Sequence, residues 1–133
     1  MIVYLDSMIV IYLIEGPDSF RVRARARLAQ ITAAGDETAI SHLIRLECRV
    51  KPIRVSDASL LADYDAFFNA ADLLRFPLPE AVFERATEIR AQYGFKLGDS
   101  LNLATAVEHG CGLFLTNDVQ LRRFPGILVE VLA

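Results

Sequence analysis

The sequence predicts a three-layer α/β domain spanning residues 1–133, with helices packed on both faces of a mainly parallel, five-stranded sheet. Three observations carry that prediction. Hydrophobic residues make up 53% of the chain, enough to cover a sheet on both sides. The strand candidates are short continuous apolar runs, such as Ile2-Val3-Tyr4-Leu5 and Leu113-Phe114-Leu115, and not the alternating runs of a half-solvated sheet. Those runs alternate along the chain with longer segments of helical period.

The first strand, Ile2 to Leu5, stops abruptly at Asp6-Ser7. Met8 to Glu15 follows as an apolar helix that Gly16-Pro17 ends. Phe20, Ala24, Leu28 and Ile31 fall at helical spacing, with Ser19 the expected N-cap and Gly35 the expected stop. Thr38 to Ser41 is a short strand, and a helix runs from about His42 to Val50. Lys51-Pro52 is expected to end it, because the residue before a proline is pushed out of the α region. Ser56 or Asp57 caps a helix whose buried stripe is Leu60, Tyr64, Phe67, Phe68 and Ala71, a stripe long enough to serve as core and partner surface together. Leu73 to Phe76 is the third strand. Pro79 and Glu80 open a helix with the stripe Val82, Ala86, Ile89 and Tyr93, and Gly94 closes it. Asp99 or Ser100 begins a helix to His109. Leu113 to Leu115 and Ile127 to Leu132 supply the last two strands.

The bulk properties exclude several classes of function. Formal net charge is -3, so no global field draws nucleic acid to the chain and any polyanion needs a local basic patch. Two isolated cysteines, Cys48 and Cys111, make neither a disulfide framework nor a cysteine zinc site, and read as reduced core residues of a cytoplasmic protein. No apolar run is long enough to span a membrane, and the hydrophobic start lacks the basic region and cleavage site of a secretory signal.

The chemistry-bearing residues are acids placed where strands end. Asp6 closes the first strand and Asp118 lies just past the fourth. Asp99 opens the preceding helix, and Glu47 lies more than a turn into the helix after the second strand. Right-handed crossovers bring these positions to one edge of the sheet. Two carboxylates about 5 Å apart repel by roughly 3 kcal/mol at an effective dielectric of ~20. Such a set is tolerated only if some members stay protonated or a cation lies among them. Carboxylate ligands favour magnesium or manganese. Taken singly, Asp99 also reads as a helix cap, Asp118 as a turn residue and Glu47 as a solvated helix acid; the inference rests on the set.

This ordered set resembles the PIN-domain ribonucleases, specifically the toxins of VapC-type toxin–antitoxin pairs. The matching pieces are Tyr4-Leu5-Asp6-Ser7 with Ile11-Tyr12 and Glu15, Ser41 through Glu47, Asp99-Ser100-Leu101-Asn102-Leu103-Ala104-Thr105-Ala106, and Thr116-Asn117-Asp118. The resemblance implies a PIN-like fold, with Asp6, Glu47, Asp99 and Asp118 as catalytic metal ligands and Ser7, Thr116 and Asn117 as their polar support. It further implies hydrolysis of RNA phosphodiester bonds with one or two Mg (or Mn) ions, a homodimer, and a cognate antitoxin lying over the acidic cleft. Met8 stands where many relatives carry a polar residue, and Leu103 omits an extra acid that some members have.

Arg45, Arg49 and Lys96 are the cations nearest these acids in sequence and the candidates for substrate contact, with Lys51 and Arg54 beyond; Arg21, Arg23, Arg25 and Arg27 read as a solvated helix face. His42 and His109 read as a loop residue and a helix-end cation. Two other readings compete. A nucleophilic-aspartate phosphohydrolase needs a second acid at position 8, which is Met. A catalytically silent PIN-like interaction module would not require all four acids.

Overall fold

The computed structural model describes all of residues 1–133. Five strands, β1 (Ile2–Leu5), β2 (Glu37–Ser41), β3 (Leu73–Phe76), β4 (Leu113–Thr116) and β5 (Leu128–Val131), form one sheet in the order β3-β2-β1-β4-β5. Every pairing is parallel. In β1, Val3, Tyr4 and Leu5 are all buried. Successive strand residues point to opposite faces, so helices must cover both. The result is the three-layer α/β/α arrangement.

Six α-helices make the connections: α1 (Ser7–Ile14) and α2 (Asp18–Ala33), α3 (His42–Arg54) and α4 (Ala58–Phe68), α5 (Glu80–Tyr93) and α6 (Leu97–Glu108). Between β4 and β5 only a 3-10 helix, Val119–Arg123, intervenes, so the strict alternation of strand and α-helix fails at the last step. From β1 the chain builds outward through β2 and β3, then returns to add β4 and β5 on the other side. The turning point lies between β1 and β4, where an open parallel sheet leaves a crevice beyond its carboxyl ends.

Four local expectations are corrected. Proline 52 does not end α3, which runs on to Arg54. Its ring is buried, and the next turn closes through Val55 N–H to the Lys51 carbonyl (3.0 Å) and Asp57 N–H to the Pro52 carbonyl (2.9 Å). The cap of α2 is Pro17 and not Ser19, with Asp18 in the first turn, where a carboxylate complements the helix dipole. The cap of α6 is Lys96, which places Asp99 and Ser100 inside the helix. Ala71 lies beyond the end of α4 and is exposed, while Tyr64 and Phe68 are fully buried. The α4 stripe is core at Tyr64 and Phe68 and half-buried at Leu60 and Phe67. Three exposed apolar side chains lie together on α3, where Leu46, Val50 and Ile53 are 59%, 47% and 54% exposed. No helix is long and apolar enough to cross a membrane.

Candidate metal centre

Asp6 stands one residue past β1. The register that pairs Leu5 with Leu115 sets it opposite Thr116. Thr116 Oγ1 donates to Asp6 Oδ2 at 2.7 Å, and the Ser7 N–H donates to Oδ1 at 2.8 Å. The Asp6 residue is only 6% exposed. Burial pushes its carboxyl above the ordinary range; the two hydrogen bonds pull it back, and the Asp118 charge adds to the rise.

The same threonine ties in a second acid, since Thr116 Oγ1 accepts the Asp118 N–H at 3.2 Å. Asp118 Oδ1 in turn accepts the Gln120 N–H at 2.9 Å and caps the 3-10 helix. Asp99 arrives from the first turn of α6. That helix leads back into β4, so its N-terminus lies at the carboxyl edge of the sheet. Burial, joined by the charges of Asp6 and Asp118, pushes the Asp99 carboxyl up to about 6 against the opposing pull of Lys96. Glu47 reaches in from α3. Asn102 Nδ2 donates to its Oε1 at 3.1 Å, and its Oε2 would stand 3.3 Å from a Cβ added at Gly98. Burial raises this carboxyl too, Asn102 lowers it, and Asp6 and Asp99 raise it further.

Acids from four separate parts of the chain thus feel one another's charge at one edge of the sheet. A cavity of about 210 Å³ opens there, lined by Lys96, Asp99, Asp118, Gln120 and Arg123 among others. The acids do not form a closed cage: no three histidines, cysteines or acids stand close enough to hold one ion together. Three of the carboxylates are turned toward donors of their own: Asp6 toward Thr116 and the Ser7 N–H, Glu47 toward Asn102, and Asp118 toward the Gln120 N–H. Magnesium is commonly held by only one or two carboxylates, with waters filling the remaining positions. The hard-oxygen donors, with the carboxyls of Asp6, Glu47 and Asp99 pushed above their ordinary range, fit a hydrated ion of that kind.

The supporting residues divide. Ser7 acts through its backbone N–H. Asn117 Nδ2 donates to the Tyr12 hydroxyl at 3.1 Å, tying the loop after β4 to α1 and not to the acids. Among the cations, Lys96 lines the cleft, whereas Arg45 and Arg49 line a separate groove along α3 with His42 and Leu46. Arg49 is paired with Asp65 at 2.9 Å, and Lys51 with Glu15 at 2.7 Å. Sequence reasoning missed Arg123 and Gln120 in the cleft and Asn102 behind it. The signals were a basic pair, Arg122-Arg123, shortly after Asp118, and a lone amide in the apolar run Leu101 to Ala106. Both cysteines are free and buried, and burial pushes the Cys111 thiol up to about 11.

The PIN domain family model matches residues 3–127. The chain belongs to the PIN-domain family. Solved structures similar to this PIN domain include VapBC2 from Rickettsia felis bound to a promoter DNA fragment, at 21% identity, TM-score 0.78 and full coverage (100%) of both chains. DNA-bound VapBC from Salmonella typhimurium matches at 20% identity and TM-score 0.80, over 100% of this PIN domain and 99% of that chain. VapC20 from Mycobacterium tuberculosis, described as a sarcin-ricin loop cleaving toxin, matches at 13% identity and TM-score 0.68, over 84% and 86% of the two chains. At these identities the likeness is one of fold. A search of curated proteins returns no match.

Proposed function

We propose that this PIN domain is a magnesium- or manganese-dependent endoribonuclease and the toxin component of a toxin–antitoxin pair. The observation that carries the proposal is the electrostatic coupling of Asp6, Glu47, Asp99 and Asp118 at the switch-point crevice, with Asp6 buried against it. Such a grouping destabilises a fold unless something positively charged visits it.

A bound ion would supply an activated water and charge neutralisation at a phosphate. One or two of Asp6, Asp99 and Asp118 would hold it, with waters in the remaining positions and Glu47 at the flank. Thr116 and the Ser7 N–H orient Asp6 so that its lone pairs are not free to turn away. Lys96 and Arg123 give the cavity positive walls, which suits an RNA backbone passing over acids. The Asp99 proton, held up to a pH of about 6, must leave before that carboxylate can act as a ligand. The similar folds come from toxin–antitoxin complexes, which supports an antitoxin partner; the homodimer rests on the family resemblance alone.

The test is cleavage by the purified, partner-free chain on transfer RNA, ribosomal RNA and a DNA control, with magnesium, manganese or EDTA. Wild type is expected to cut RNA with metal, and Asp99→Ala is expected to lose the activity by at least 100-fold. The competing reading, a silent interaction module, draws support from the spacing of the acids. A partner-free protein that cuts neither RNA under either metal would establish it in place of the nuclease.

A further inference from the structure

Buried polar side chains are costly unless paired, and the core of this PIN domain contains a line of them. Tyr4 on the central strand, Ser41 at the end of β2 and Asn102 in α6 are each at most 1% exposed. The Tyr4 hydroxyl lies 2.8 Å from Ser41 Oγ and 2.6 Å from Asn102 Oδ1. It has one proton to give. Asn102 Oδ1 can only accept, so Tyr4 donates to it, and Ser41 must donate to Tyr4. Ser41 Oγ accepts the Ile44 N–H at 3.4 Å. At the other end, Asn102 Nδ2 donates to Glu47 Oε1 at 3.1 Å. Turning the amide over would set its oxygen against the glutamate oxygen. The donors therefore run in a single direction, from the first turn of α3 through the core to Glu47.

We propose that Tyr4, Ser41 and Asn102 form a positioning relay that fixes the Glu47 carboxylate at the edge of the acid cleft. The proposal rests on the nuclease reading, because it gives Glu47 a task there. Phenylalanine, alanine and leucine would fill the same volume without burying four polar atoms, so packing alone does not call for this line. Glu47 comes from a helix and not from a strand end, and its longer side chain has more rotamers to lose than the three aspartates. Asp6 is held at its own strand end by Thr116 and the Ser7 N–H, whereas Glu47 has to be held from across the core. Partners of this kind typically change metal affinity or activity by about 10–100-fold when removed.

The full-length, partner-free chain provides the test. Manganese is titrated by electron paramagnetic resonance into wild type, Asn102→Leu and Tyr4→Phe, and into both substitutions in a Glu47→Gln background. Asn102→Leu is expected to weaken manganese binding by about 10–100-fold and to lower kcat with KM for RNA unchanged. Tyr4→Phe should move both in the same direction by less, and neither should add to Glu47→Gln. Should Asn102→Leu fail to fold, Tyr4→Phe decides, since it removes one oxygen and no volume. Unchanged manganese affinity in the variants, or an equal loss with and without Glu47, leaves only packing and overturns the relay. If wild type binds manganese and cuts RNA while the variants match it, the relay falls and the nuclease stands. If wild type does neither, both fall.

Discussion

Thr116 joins two acids through one oxygen, donating to Asp6 and accepting from the backbone of Asp118. Thr116→Val keeps the shape and removes both bonds. It leaves a buried carboxylate oxygen without its donor, a loss of about 1–3 kcal/mol. Chemical denaturation should show that loss, and metal-dependent cleavage should fall by about 10–100-fold. Thr116→Ser retains the hydroxyl and should retain most of both. Asp99 makes a prediction in pH. Its folded carboxyl titrates near 6, above the ordinary 3.8, so the folded chain holds this proton more tightly than the unfolded one. The associated stability is fully present below about pH 4 and is lost as the pH rises through about 6. In EDTA, wild type should lose melting temperature across that interval, and Asp99→Asn should lose less. At pH 7 the variant should melt higher, at about 3–5 °C for each kcal/mol relieved. A wild-type and an Asp99→Asn curve that run parallel from pH 4 to 7 would contradict the coupling of these acids.

At the scale of elements, the turn between α5 and α6 places Lys96 and Asp99 at the cleft, and it begins with a left-handed residue. Gly94 has φ 71°, and a Cβ added there would meet nothing within 4 Å. Gly94→Ala should therefore cost only the backbone preference, about 1–2 kcal/mol, read as a lower melting temperature with metal affinity unchanged. The glycine stop was legible from sequence because glycine takes that conformation at the least steric cost. Strands β1 and β4 were legible for a similar reason: continuous apolar runs have few other uses in a chain this short. That Asp6, Asp99 and Asp118 lie along one edge of the sheet followed from where strands and helices end, although no three of the acids stand close enough to share one ion. The tertiary context was not legible. A buried ring carries α3 past Pro52, and the true start of α6 turns Asp99 from a cap into a first-turn residue. Sequence spacing likewise drew Arg45 and Arg49 toward Glu47, whereas the pitch of α3 carries them to another groove. Asn102 was the hardest to find, since its partner Tyr4 comes from the opposite end of the chain.

At the scale of the molecule, the binding of an ion to the folded chain alone should raise its melting temperature by mass action. With millimolar magnesium or manganese, wild type should gain several degrees over EDTA, and Asp6→Asn should gain distinctly less. A melting curve indifferent to both metals would count against the centre as drawn. The sheet itself adds a consequence in time. β1 is the earliest strand to be synthesised and sits in the middle, flanked by β2 and β4. Its β4 edge has no neighbour until residues 113–116 have left the ribosome, and Thr116 and Asp118 come with them. Until then Asp6 ends a strand with nothing across from it on that side. The crevice is thus half-built until β4 is made, and any ion shared between Asp6 and Asp118 has to wait until synthesis has passed residue 118.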